Sequence, residues 1–219
     1  MTWLAASRDV WRSLVGYLGG DRRARHVVVS DATALAEFLD TRASHVGQIS
    51  LYGYIRTRAG SRYPELFEND AFLVAVNIAK WQVWIACLSD LAVYAGGLIR
   101  REANVPKDEV LDLIAACVRT VLDRTGLPEE AGDRFDESRR RLYARLAATD
   151  WDTVGDDESD FAESPEALVI WAPIVDGLKA LDSEIVRNSV RFRWQGVRRE
   201  LRDSLKVDEV LISHRGKQV

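Results

Sequence analysis

Serine and histidine are the residues from which an acyl-transfer site is usually built, and here histidine is scarce. The 219-residue chain has three: His26, His45 and His214. No Gly-x-Ser-x-Gly turn surrounds any serine, so nothing in the spacing supplies a strained nucleophile with a base in reach. The Glu-x-x-His pairs of a di-metal bundle are missing too, and no metal or cofactor is expected. These patterns lean away from enzymatic chemistry.

Binding chemistry is better represented. His45 shares a helical face with Arg42, Ile49, Tyr52 and, at the edge, Gln48, which would set polar groups beside an aromatic ring. Trp81 and Trp84 follow on the next apolar segment, with Asn77, Lys80, Cys87 and Asp90 among them. A small apolar ligand or lipid held near His45, Tyr52, Trp81 and Trp84 is therefore one expectation. The bland alternative is that His45 is a satisfied interior histidine and that Lys80 and Asp90 belong to structural ion pairs.

The strongest functional signal lies at the amino terminus. Within residues 2 to 18, Trp3, Leu4, Val10, Trp11, Leu14, Val15 and Leu18 recur at spacings of three and four, with Arg8 and Arg12 elsewhere on the turn. Arg22, Arg23 and Arg25 follow. Bulky apolar groups on one face and arginines nearby suit an interfacial membrane helix. They suit equally a helix seated in a partner's groove, or on this protein's own body. The contact residues in any of these readings are Trp3, Leu4, Trp11, Leu14, Val15 and Leu18.

Two charged runs have weaker claims. Asp150-x-Asp152 with Gly155 in sixth place copies part of a calcium loop, but Val154 and Phe161 stand at the fifth and twelfth positions, where oxygen ligands belong. A solvated acidic linker is the simpler reading. Arg187 to Lys206 mixes cations with Phe192 and Trp194, as a nucleic-acid surface would. Val190, Trp194, Val197, Leu201 and Leu205 form a core-facing stripe through the same run, however, and the chain is acidic overall, at net −4. Nucleic acid is not expected; a protein partner or membrane surface is, and a homo-oligomer remains open.

The elements that position these groups should be helices. Five prolines and fourteen glycines are too few to punctuate an all-strand chain, and 47% apolar with 29% charged residues is globular. An all-α bundle of about five main helices is expected over residues 30 to 206, preceded by the amphipathic arm of residues 1 to 20 and followed by a frayed polar tail at 207 to 219. Ser30 or Asp31 caps the first helix, which runs to about Arg58. A second, from about Pro64 to Arg101, is apolar almost all round and should be the central element. Long enough to cross a bilayer, it carries Asn77, Lys80, Gln82 and Asp90, which favours a buried core helix. Pro106 opens the third and Pro128 the fourth. Ser164-Pro165-Glu166 opens the fifth, with Ser164 as cap and a kink at Pro173. Cys87 and Cys117 lack metal-type spacing, and Arg8 and Asp9 interrupt any leader-like segment, so reduced thiols and a cytoplasmic location, peripheral on the inner membrane if the arm inserts, are the expectation.

The stretch from Thr41-Arg42-Ala43-Ser44 through Leu51-Tyr52-Gly53-Tyr54, with Tyr63-Pro64-Glu65-Leu66-Phe67 and Ile78-Ala79-Lys80-Trp81 through Leu88-Ser89-Asp90-Leu91, resembles a family of uncharacterised bacterial all-helical proteins sometimes labelled esterase. The resemblance spans about residues 40 to 100 and implies a bacterial origin. It carries no catalytic residue across, because no serine elbow accompanies it.

Overall fold

A computed structural model describes residues 28 to 155, 157 and 160 to 216. The amino-terminal arm, with its six contact residues, lies outside the described residues. Seven helices of nine residues or more make up the body: α1 (Ala32–Ala59), α2 (Asp70–Ala103), α3 (Lys107–Thr125), α4 (Phe135–Ala148), α5 (Glu163–Trp171), α6 (Asp176–Ser204) and α7 (Val207–Gly216). The all-α expectation holds.

Local chemistry sets most of the boundaries. Asp31 caps α1, accepting from the amides of Thr33 and Ala34 at 2.8 and 2.9 Å, and Gly60 closes it at φ 56°. Asn69 caps α2 through the Phe72 amide, and Asn104 ends it in the left-handed conformation. The expected start near Pro64 is a single separate turn, Tyr63–Leu66, after which the chain restarts at Asp70. Pro128 opens only a short 3-10 turn, Glu129–Ala131, before α4.

α2 is central, as its all-round apolarity predicts. Every residue from Gln82 to Ile99 is buried, and α1, α3, α4 and α5 all pack on it. The helix is long and apolar enough to cross a membrane. Its buried Gln82, Ser89 and Asp90 instead meet Ser138 and Arg145 from α4, which is how a core helix accommodates polar groups.

Gly96 and Gly97 on α2 have a specific use. A methyl at Gly96 would lie 2.3 Å from the Trp151 ring, and one at Gly97 would lie 2.3 Å from Val154. The two glycines therefore form the socket into which the segment after α4 inserts Trp151 and Val154, both buried.

Three expectations need correction. The fifth helix does not bend at Pro173; it ends, and Ala172 to Val175 separate α5 from α6, because proline lacks the amide that would continue the ladder. Ser164 is not the cap of α5: it lies inside the first turn, its own hydroxyl directed elsewhere. Residues 207 to 216 are not a frayed tail but α7, which buries Val207, Val210, Leu211 and His214 on one face. Val29, just before α1, is extended and bridges in parallel with Leu205. Its amide donates to Ser204 O at 2.9 Å, and its carbonyl accepts from the Lys206 amide at 2.8 Å.

Candidate functional site

A cavity of about 340 Å³ opens between α1, α2 and the end of α3. Asp40, Ser44, Gly47, Gln48 and Leu51 supply one wall from α1, at spacings of four, three, one and three that keep them within one helical face. Lys80, Trp81 and Trp84 supply the other, and Thr125 closes the end. The two helices are close here: a methyl at Gly47 would lie in ordinary van der Waals contact, 3.6 Å from the Trp84 Cα.

The ring geometry is fixed by packing. Trp81 and Trp84 meet edge to face with centroids 5.6 Å apart, and Phe135 from α4 backs both. The Trp84 indole N–H reaches Asp40 Oδ1 at 3.3 Å, while Ser44 Oγ donates to the same oxygen at 3.4 Å. Arg124 holds the other carboxylate oxygen at 2.9 Å. Lys80 lies 4.9 Å from the Trp81 ring centre and pairs with Glu130 at 3.0 Å. The Trp81 indole nitrogen is buried and finds no acceptor among the described residues. That leaves a donor without its partner, which costs free energy unless a ligand or water supplies an acceptor.

Trp81 and Trp84 thus line one cavity, as expected, but His45 and Tyr52 do not line it. They sit about 100° round α1 from Ser44 and Leu51, which turns them to a different neighbour. His45 lies among Arg42, Arg193 and Glu200; burial first, then the two guanidinium groups, push its pKa down. Arg42 forms a bidentate pair with Glu200, by Nε at 2.7 Å and by a still closer NH2 contact. Burial raises the Tyr52 phenol to about 12, with Tyr63 nearby. The cavity residues that the sequence did not single out are Asp40, Ser44, Gly47, Leu51 and Thr125. Their i, i+4, i+7 and i+11 spacing along α1 is the signal that would have found the first four.

A second polar centre lies deeper along α2. Asp90 is fully buried; its Oδ1 accepts from Arg145 at 2.7 Å and the Glu163 amide at 3.2 Å, and its Oδ2 accepts from the Ser164 amide and hydroxyl at 2.8 and 2.6 Å. Trp194 Nε1 donates to Ser164 Oγ at 3.0 Å. Burial pushes the Asp90 carboxyl up, opposed by Arg145 and Ser164, and the buried Cys87 thiol is raised well above its usual value by burial and by Asp90. A serine on a carboxylate resembles half of a hydrolytic site, but Ser164 is fully enclosed and its hydroxyl is already engaged by Asp90 and the Trp194 indole. Asp90 instead caps α5 from another helix, satisfying the amides of Glu163 and Ser164. The structural ion pairs expected of Lys80 and Asp90 are both present, with Glu130 and Arg145.

The two charged runs are largely spent internally. Lys107 Nζ sits 2.6 Å from Asp150 and 2.7 Å from Asp152, and Arg100 holds Asp152 at 2.8 Å, so the protein's own cations stand where a calcium-loop ion would. Val154 and Phe161 are buried as apolar anchors, and no cluster of metal-ligating residues forms among the described residues. On α6, Arg187 pairs with Glu166, Arg198 reaches Asp157 O at 2.9 Å, and Arg202 reaches the Tyr94 hydroxyl at 2.9 Å. Trp194 packs inward, as its stripe requires.

Compared with known proteins, the chain matches no family model, no curated protein and no solved structure.

Proposed function

We propose that this chain is a non-enzymatic accessory protein, attached to the inner face of a membrane or to a membrane complex through residues 2 to 18. The observation that carries this reading is the clamp on Val29. Two backbone hydrogen bonds, to Ser204 and from Lys206, anchor the chain at Val29, eleven residues after the amphipathic segment ends at Leu18. An apolar face on a tethered segment is useful when something outside the body buries it. Burying Trp3, Leu4, Trp11, Leu14, Val15 and Leu18 is worth about 1.5 to 3 kcal/mol for each large side chain taken fully out of water, before ordering costs. The arginines that follow add attraction to an anionic surface, roughly 1 kcal/mol each near it.

Flotation with neutral and anionic vesicles, at low and high salt, tests the reading on the full chain and on a chain lacking residues 1 to 20. Arm-dependent, anion-dependent and salt-sensitive flotation is expected. Failure of the full chain to float on any vesicle removes the membrane surface and leaves a protein complex as the arm's target.

A second reading is favoured by the cavity: a small amphiphile held between Trp81 and Trp84, with Asp40, Gln48 and Lys80 at its polar end and an acceptor atom on the Trp81 indole nitrogen. Its volume lies at the lower end of the range for small-molecule sites. Native mass spectrometry of gently purified protein should show retained mass that Trp84→Ala loses. A clean apo mass from every preparation would retire it.

A further inference from the structure

α6 has two apolar faces where an outer helix of a bundle ordinarily has one. The inward face is Val186, Val190, Trp194, Val197 and Leu201, all buried. Opposite it runs a second row, Leu178, Leu181, Ile185, Asn188 and Phe192, spaced three, four, three and four. Leu181, Ile185 and Phe192 are 77%, 72% and 71% exposed, although each belongs to a type that normally seeks burial. Their spacing is that of a coiled-coil seam, with one polar position, Asn188, in the middle.

The residues beside the seam decide what fits it. In a parallel pairing with a second copy, Glu184 would face Ser189 and Arg191 would face Gly196, which gives no charge match. In an antiparallel pairing centred between Val186 and Arg187, Leu181 opposes Phe192 of the partner subunit and Ile185 opposes Asn188 of the partner subunit. The same register brings Glu184 and Arg191 of the partner subunit to one side of the seam, two residue steps or about 3 Å apart along it, and symmetry repeats that pair at the other end. The charges on this face therefore complement their own two-fold image. Arg191 already leans toward the row, donating to Asn188 Oδ1 at 3.0 Å.

We propose that the Leu181–Phe192 face of α6 pairs antiparallel with the same face of a second copy of this chain. A row of about 17 Å, eleven steps of 1.5 Å from Leu181 to Phe192, is shorter than the interface of a permanent dimer, so the dimer is reversible and concentration-dependent. It does not depend on where the arm binds.

Sedimentation velocity over a wide concentration range tests it, on the full chain and on a chain lacking residues 1 to 27. Both should pass from monomer to dimer. Phe192→Asp should hold the protein monomeric while its far-ultraviolet circular dichroism stays unchanged. Glu184→Arg and Arg191→Glu should each weaken the dimer by about threefold to tenfold, and the double reversal should restore it. A monomer at every concentration in both chains overturns the proposal. So does a dimer indifferent to Phe192→Asp. Dimerisation only after the truncation also overturns it, because the arm would then be what covers the row.

Discussion

The bundle contains two groups made of the same four residue types, aspartate, serine, tryptophan and arginine, and they are finished to different degrees. In the first, Asp90 takes four donors at 2.6 to 3.2 Å and Ser164 passes the network on to Trp194. In the second, Asp40 meets Trp84 and Ser44 at 3.3 and 3.4 Å, keeps one good bond to Arg124, and borders open space. The difference follows from what closes each group. Asp90 faces α4 and the start of α5, which bring amides and a guanidinium to every lone pair; Asp40 faces a wall of rings that offers a single indole N–H. A closed network fixes helices relative to one another, whereas a slack one beside a cavity leaves bonding capacity for a molecule from outside.

Asp90→Ala should show the contrast most strongly. It removes the buried carboxylate from Arg145, which keeps only Glu163 and the Asp160 carbonyl among its charged and loop partners, and frees the first amides of α5; it should cost about 3 to 5 kcal/mol in urea unfolding. The matching change in the slack group, Asp40→Ala, should cost no more than about 1 kcal/mol, since Arg124 is half-exposed and remains solvated. Equal losses would remove the distinction between the two groups.

Gly96→Ala comes next. Its methyl cannot coexist with the Trp151 ring at 2.3 Å, so the segment carrying Trp151, Val154 and Asp160 must shift, and Asp160 O is one of the acceptors of Arg145. A loss of about 1 to 3 kcal/mol is expected, with faster proteolytic cutting between residues 149 and 162. A variant as stable and as resistant as wild type would show that this segment does not help to close the Asp90 group.

Acidity probes the same group without altering its shape. The Asp90 carboxyl is raised in the folded protein, so its contribution is fully present below the ordinary carboxyl pKa of 3.8 and is lost as pH rises through the folded value. The stability difference between wild type and Asp90→Asn should therefore drift against wild type as pH climbs from 3.8. A pH-independent difference by urea titration would contradict the raised value.

The smallest effect is expected at the cavity. Trp81→Phe removes the buried indole donor that has no acceptor and keeps most of the ring contact, so stability should move by no more than about 1 kcal/mol in either direction. A loss of several kcal/mol would mean that the indole nitrogen is bonded within the folded protein.

Local patterns in the sequence carried the helices well and the site only partly. The centrality of α2 is visible in an apolar surface that leaves no solvent face, and the ion pairs of Lys80 and Asp90 follow from the cost of burying them alone. Ser164 misleads because Ser-Pro-Glu is a complete local start signal, while the actual cap comes from Asp90, 74 residues away. No window along the chain contains both. His45 and Tyr52 mislead for an angular reason: one step along α1 turns a side chain by about 100°, enough to carry His45 from the cavity toward α6 and Tyr52 toward Tyr63. α7 is legible in the spacing of Val207, Val210, Leu211 and His214, which the polar residues at the end of the sequence obscure.

The bridge between Val29 and Leu205 also sets an order of events during synthesis. The strand partner of Val29 is made about 175 residues later, and at 5 to 20 residues per second that is roughly 9 to 35 seconds of translation. Until residues 204 to 206 leave the ribosome, Val29 has neither of its two backbone partners. The point at which Val29 becomes anchored is thus decided by a part of the chain made much later.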